Sequence, residues 1–306
     1  MKKILVTGSS GTIGTRLCEK LLEQGFVVKG IDVKENKWNK HINEITTIAD
    51  LRKKDFFEKI DSDFDIVINL AANARVYNLV VEPELALDNI KMVFNVLEFC
   101  RKNNIKKNVF ASSREVYGNT QRDVSCEQDA RIDDCESPYT ASKIAGEALV
   151  QAYKRCYGID FVITRFSNVY GMYDDSDRVI PLFIKLTHQN KDLVVFGGEK
   201  LLDFTYIDDV ITGVIKIIKG FEEKKNEVYN LATGEGIAIL DVAKIIQKEM
   251  NNETKITIED NRKGEVVRFT ADNSKAKEKL GWEPTITLED LVKIMVEADG
   301  LELKRS

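Results

Sequence analysis

Histidine is nearly missing from this chain: His41 and His188 are the only two in 306 residues. Two such residues, far apart in sequence, do not make a histidine-rich metal centre, so no metal is expected. Cysteine is sparse and unpaired. Cys18, Cys100, Cys126, Cys135 and Cys156 contain no CxxC pair and are odd in number, which argues against a disulfide framework and fits a reducing, cytoplasmic location. There are four prolines and no Pro-rich linker, low-complexity tract or internal repeat, so any domain boundary is soft. No apolar run approaches the roughly 18 residues of a membrane span. The opening MKKILVTGSSG has too short an apolar stretch for a leader and runs straight into glycines, so it reads as a first strand. A formal net charge of −5 gives no electrostatic reason to expect nucleic acid or an anionic membrane as partner. A small anionic ligand held by a few local cations is compatible with it.

What is present is ordinary globular composition, 43% hydrophobic and 31% charged, on a chain long enough to bury a sizeable core. Short β-branched runs alternate with helical patterns: KILVTG, then TIGTRLCEKLLEQG, then VVKGIDV. Later come DFDIVINLAA, ELALDNIKMVFNVLEFCRKN, KNVFASS, YTASKIAGEALVQAYKRC and DFVITRFSNVYG. Nearly all-apolar strands separated by helices predict a parallel sheet covered on both faces, joined by right-handed crossovers: a doubly wound α/β domain. Beyond about residue 168 the rhythm is less regular. The reading is a first domain over 1–168, rejoined by a segment near 205–232, and a smaller lobe over most of 169–306. Helical LDVAKIIQKEM and LEDLVKIMVEADG finish the chain.

TGSSGTIG places Gly8, Gly11 and Gly14 at the first strand-to-helix junction. Glycines there permit a tight turn and close approach of the backbone to a pyrophosphate, and the helix start offers unpaired N–H groups to that anion. Asp32 ends the second strand, 18 residues after Gly14, where a carboxylate meets ribose hydroxyls and favours NAD over its phosphorylated form; Lys34 follows closely. Asp50 and Leu51, after the third strand, are placed to bracket an adenine. YTASK sets Tyr139 and Lys143 at i and i+4 on one helix face. An ammonium beside a phenol lowers its pKa from about 10 toward neutrality and makes it a usable general base.

In order and at these spacings, TGSSGTIG, INLAA, SSREVYG, SPYTASK, RFSNVYG and RKGEVVRFTADNSKAKEKLGW resemble the extended short-chain dehydrogenase/reductases of the NAD-dependent nucleotide-sugar epimerase/dehydratase family. The resemblance implies a Rossmann-like domain holding NAD and a smaller C-terminal lobe holding the diphosphate of a nucleotide sugar. It implies homodimers paired through the helices of residues 84–102 and 138–156. Thr12, Ile13, Leu70, Ala71, Ala72 and Asn89 join the expected cofactor site. Ser113, Tyr139 and Lys143 match the catalytic trio: Ser113 bonds the reacting hydroxyl, Tyr139 takes its proton, and Lys143 tunes Tyr139 and holds the nicotinamide ribose. Asn168 and Arg262 match substrate contacts. Two departures stand out. Asn69 replaces a common His, a tolerated loop variation, and Leu202 replaces an Arg that usually reaches the diphosphate; Lys200 or Arg178 is the expected compensation.

Glu115, in SSREVYG, has no work in a simple 4-epimerase, whose relatives carry Ala, Ser or Thr there. Once C4 is a ketone the C5 proton is acidic, and a carboxylate facing C5 removes it. Relatives with Glu before VYG include 4,6-dehydratases and decarboxylases of UDP-glucuronate. Glu115 is therefore read as a C5 base on the same strand face as Ser113. Arg114 stands where many dehydratases have an acidic residue; it either pairs with Glu115 or points behind the strand. Open alternatives are a UDP-hexose 4-epimerase, a UDP-glucuronate decarboxylase, a net dehydrogenase, a non-catalytic NAD-binding regulatory protein, and a salt-bridged Arg114–Glu115 edge with no catalytic role.

Overall fold

The computed structural model describes residues 2–120, 122–290 and 292–294. The first half of the chain runs β1 (Lys3–Thr7), α1 (Thr12–Glu23), β2 (Val27–Asp32), α2 (Lys40–Ile45), β3 (Thr46–Ile48), β4 (Ile66–Asn69), α3 (Val76–Val81), α4 (Glu84–Lys102) and β5 (Lys107–Ser113). Next come α5 (Pro138–Tyr157), β6 (Asp160–Phe166), β7 (Asn168–Tyr170), α6 (Val179–His188), β8 (Leu193–Phe196), β9 (Leu201–Tyr206), α7 (Ile207–Lys219), α8 (Phe221–Lys224) and β10 (Glu227–Leu231). The last elements are β11 (Gly236–Ala238), α9 (Ile239–Glu249), β12 (Ile256–Glu259), β13 (Arg268–Phe269) and α10 (Ser274–Leu280). The helix expected over 288–300 lies largely outside the described residues.

Seven strands form one parallel sheet in the order β10-β6-β5-β4-β1-β2-β3. The two-residue period of its strands divides the core. Ile4, Val6, Ile66, Ile68 and Val109 point into one cluster, while Leu5, Val67, Phe110 and Ile163 point into another. All nine are at most 2% exposed, as expected for a sheet roofed by helices on both faces. The remaining strands form two smaller sheets, one with β9 flanked by β11 and β13 and also paired with β7, the other of β8 paired with β12.

The strand order reverses between β1 and β4, and a crevice opens there beyond the carboxyl ends of the strands. α7, in the segment near 205–232, packs on α1. Arg16 on α1 donates from Nε and Nη2 to both oxygens of Asp208 on α7, at 2.6 and 2.7 Å. Among the described residues no helix is long and apolar enough to cross a membrane.

Candidate active site

The crevice is a cavity of about 720 Å3, within the usual size range of small-molecule and cofactor sites. Its lining includes Gly8, Gly11, Thr12, Ile13, Gly14, Asp32, Asp50, Leu51, Leu70, Ala71 and Ala72. Gly8 has φ +72, and a Cβ there would stand 3.0 Å from the Ala71 backbone; a Cβ on Gly14 would fall 2.0 Å from the Gly8 carbonyl oxygen. The turn has no room for side chains, and the first-turn N–H groups of α1 have no intrahelical acceptor. Asp32 is fixed beside it, accepting from the Ser10 N–H at 3.0 Å and the Lys34 N–H at 3.2 Å. This cradle fits a dinucleotide pyrophosphate with a carboxylate at the ribose.

Neighbouring groups brace the cradle. The Thr7 hydroxyl donates to Asn69 Oδ1 and accepts from the Leu70 and Ala71 N–H groups, each at 3.1 Å. Asn69 is thus the hydrogen-bonded last residue of β4 rather than a loop position. Arg52 pairs with Asp50 at 2.9 Å and holds its carboxyl below the usual range. Asn89 does not line the cavity. It is buried behind the wall, where its Oδ1 accepts from the Asn73 N–H at 2.7 Å and its Nδ2 donates to the Asn73 carbonyl and the Ser142 hydroxyl. Its placement is that of a clamp on the loop after β4.

The cavity also meets α5. Ser137 caps this helix by accepting from the Thr140 N–H, Pro138 occupies the first turn, and Gly158 ends it with φ +67. The helix start delivers Tyr139 and Lys143, both 6% exposed, to the cavity beside Ser113. Lys143 Nζ donates to the Ala111 carbonyl at 2.8 Å and lies 5.8 Å from the centre of the Tyr139 ring. The phenol is not drawn toward neutrality: burial pushes Tyr139 up to about 12, and the Ser113 hydroxyl opposes this only in part. Burial lowers Lys143 to about 8, with Glu147 pulling the other way. One turn further on, Glu147 accepts from Arg165 at 2.9 and 2.8 Å and from the Ser112 hydroxyl at 2.5 Å, fixing the end of β5.

The strand stops at Ser113. Arg114–Tyr117 is one 3-10 turn, capped by the Ser113 hydroxyl accepting from the Glu115 N–H and closed by Gly118 at φ +62. Ser113 and Glu115 therefore do not share a strand face; the tight turn, not the pleat, brings both to the cavity. It also lets adjacent residues meet. Arg114 Nη2 lies 2.7 Å from Glu115 Oε1, on side chains 9% and 3% exposed, so Arg114 pairs with Glu115 instead of pointing behind the strand. Arg114 Nη1 and Glu115 Oε2 have no hydrogen-bond partner. Burial pushes the Glu115 carboxyl up, and Arg114 and Lys200 pull against it. Lys200 Nζ donates to Glu265 at 2.6 Å, so this end of the cavity holds two cations and two anions. Asn168 joins it, accepting from Arg114 Nε at 3.3 Å and donating to the Asp203 carbonyl at 2.8 Å.

Arg178 and Arg262 line the cavity as well, and with them Arg75, which sequence reasoning missed. The Arg262 guanidinium lies 4.1 Å from the ring centre of Phe196 and 5.5 Å from that of Tyr77. Leu202, 3% exposed, contributes only apolar wall. No local pattern marks Arg75, because its surroundings come from segments far away in sequence.

Residues 4–232 match the model of the NAD dependent epimerase/dehydratase family. A Thermotoga maritima UDP-glucose 4-epimerase, solved with UDP-glucose, is 31% identical with a TM-score of 0.90, covering 98% of this chain and 99% of that one. A Bacillus cereus UDP-glucuronic acid 4-epimerase, solved as a tyrosine-to-phenylalanine mutant with UDP-4-deoxy-4-fluoro-glucuronic acid and NAD, is 30% identical with a TM-score of 0.89 and 99% coverage of both chains. A dTDP-D-glucose 4,6-dehydratase of Dictyostelium discoideum is 31% identical over 278 residues, spanning 80% of this chain and 62% of the relative. The protein is thus Rossmann-like and uses NAD, and the chain belongs to the NAD dependent epimerase/dehydratase family.

Proposed function

We propose that this protein oxidises a nucleotide-diphosphate sugar transiently at C4 and that Glu115 then removes the C5 proton, as in a 4,6-dehydratase. NAD, which Gly8, Gly11, Gly14 and Asp32 would hold, would supply a reversible hydride acceptor. Tyr139 takes the proton of the reacting hydroxyl, for which its phenol must first be ionised against the burial that raises it, and Ser113 orients that hydroxyl. Lys143, anchored on Ala111, keeps positive charge near the phenol. Asn168, Arg178, Lys200 and Arg262 line the substrate half.

The observation that carries this reading is the free oxygen of Glu115. A carboxylate almost wholly buried at a cavity that also holds Ser113 and Tyr139, with Oε2 unpartnered, is costly unless a ligand uses it. Its raised pKa suits a base that must later return the proton.

A UDP-hexose 4-epimerase is the second reading, favoured by the Arg114–Glu115 pair. Arg114 puts a cation, not an acid, beside Glu115, and neutralises it. A UDP-glucuronate decarboxylase is the third outcome of the same test: incubation of the protein with UDP-, GDP-, CDP- and dTDP-sugars in D2O, reading product masses. Loss of one water with deuterium incorporated supports C5 chemistry. Loss of carbon dioxide identifies a decarboxylase. An unchanged mass with inverted C4 identifies a 4-epimerase and removes Glu115 from the reaction. Bound NAD without turnover of any sugar leaves a non-catalytic protein.

Assembly belongs to the same proposal. α4 and α5 pack side by side and expose Leu87, Phe94 and Tyr157, an apolar face suited to pairing two copies. Light scattering at a monomer mass would overturn the dimer.

A further inference from the structure

Three guanidiniums meet in the cavity from segments far apart in the chain. Arg75 immediately precedes α3 in the first lobe, Arg178 immediately precedes α6, and Arg262 sits in the loop between β12 and β13. That loop is pressed onto α3. At Gly264, with φ +77, an added Cβ would stand 2.8 Å from the Val80 side chain, and the Arg262 guanidinium is within cation–π reach of Tyr77 on the same helix.

Their counter-charges are few and loosely held. Arg75 pairs with Asp177, whose side chain is 76% exposed, so water screens that contact. Arg178 is 3.8 Å from Asp174, beyond hydrogen-bond length, and the Asp174 Oδ2 has no hydrogen-bond partner. Among the described residues Arg262 has no carboxylate at ion-pair distance. Burial and the repulsion of Arg178 and Arg262 lower the Arg75 pKa. Two half-buried cations, Arg75 and Arg178, with the exposed Arg262 beside them, face two weak anions, an arrangement suited to a ligand with more than one negative charge. The Ser113 end, by contrast, is already balanced by Arg114 with Glu115 and Lys200 with Glu265.

We propose that Arg75 is a diphosphate-binding residue: together with Arg178 and Arg262 it grips the substrate's diphosphate, and it does so from the NAD-binding lobe. Two adjacent phosphates offer enough oxygens for several forked guanidinium contacts, which one carboxylate does not. Substrate binding then draws on both lobes at once. This rests on the nucleotide-sugar reading above.

The test is calorimetric titration of the NAD-loaded protein, wild type and with Arg75→Ala or Arg75→Lys, with UDP, GDP, CDP and dTDP and with the matching monophosphates. For the tightest diphosphate, Arg75→Ala is expected to lose roughly 10–100-fold in affinity. The monophosphate should lose less, and Arg75→Lys should show a smaller loss in the same direction, with NAD content and thermal midpoint retained. If the alanine variant does not fold, the lysine variant decides. Undiminished diphosphate binding in the variants overturns the role of Arg75 and leaves the nucleotide-sugar reading standing. Equal losses for mono- and diphosphate with a lowered thermal midpoint make Arg75 structural and also overturn it. A wild-type protein that binds none of the four diphosphates overturns both.

Discussion

Arg114 holds one oxygen of the Glu115 carboxylate at 2.7 Å and leaves the other without a partner. The pair divides the carboxylate into an anchored half and an available half, on a turn that fixes both residues. Arg114→Met removes the charge that opposes burial, so the Glu115 pKa rises further. If Glu115 must be ionised to act, the acidic limb of kcat/KM against pH moves to higher pH, and activity falls more at pH 6 than at pH 9. A limb that does not move takes Glu115 out of the rate equation.

Lys143 carries a second pH signature. Its pKa is about 8 in the folded chain, against 10.5 when free of the fold. Between those values the unfolded chain binds more protons, so stability rises with pH from about 8 to 10.5 and is lost again as pH falls through 8. The cost of keeping the buried ammonium at neutral pH is on the order of 3 kcal/mol. Lys143→Met should abolish turnover while raising the thermal midpoint at pH 7, and should flatten the pH dependence of stability over that window. Calorimetry at pH 7 and pH 10 checks both; a variant with the wild-type slope contradicts the assignment.

Asp203, on β9, is the structural counterpart. It is fully buried and accepts from the Thr233 N–H at 3.0 Å, the Thr233 hydroxyl at 2.7 Å and the Gly234 N–H at 2.8 Å. Asp203→Ala strands those donors and should cost about 3 kcal/mol in denaturant unfolding. Asp203→Asn, which keeps one acceptor, should cost less. Equal costs would mean that the backbone turn holds itself.

The central strands were legible because burial on both faces forces near-continuous apolar runs: KILV, DIVIN and FVIT sit where their composition put them. The glycine turn and the Tyr139–Lys143 face were legible because a tight turn and a helical repeat are local. SSREVYG misled because its β-like residues continue a strand pattern that the chain abandons. At Gly118 the chain passes so close to the Asp134 carbonyl that an added Cβ would overlap it, and a single 3-10 turn precedes that crossing. β11 and β13, of three and two residues, are too short to show a period. Arg75 depends on a loop nearly two hundred positions away, which no window reading can see.

β10 joins β6 only after the chain has passed through β7, α6, β8, β9, α7 and α8. During synthesis, then, the outer edge of β6 waits unpaired while some sixty further residues leave the ribosome, offering bare backbone groups to any neighbouring strand. A gene divided after residue 168 would encode a first half that cannot finish its own sheet. The strand that completes the seven-stranded sheet is thus translated late, after β7, β8 and β9.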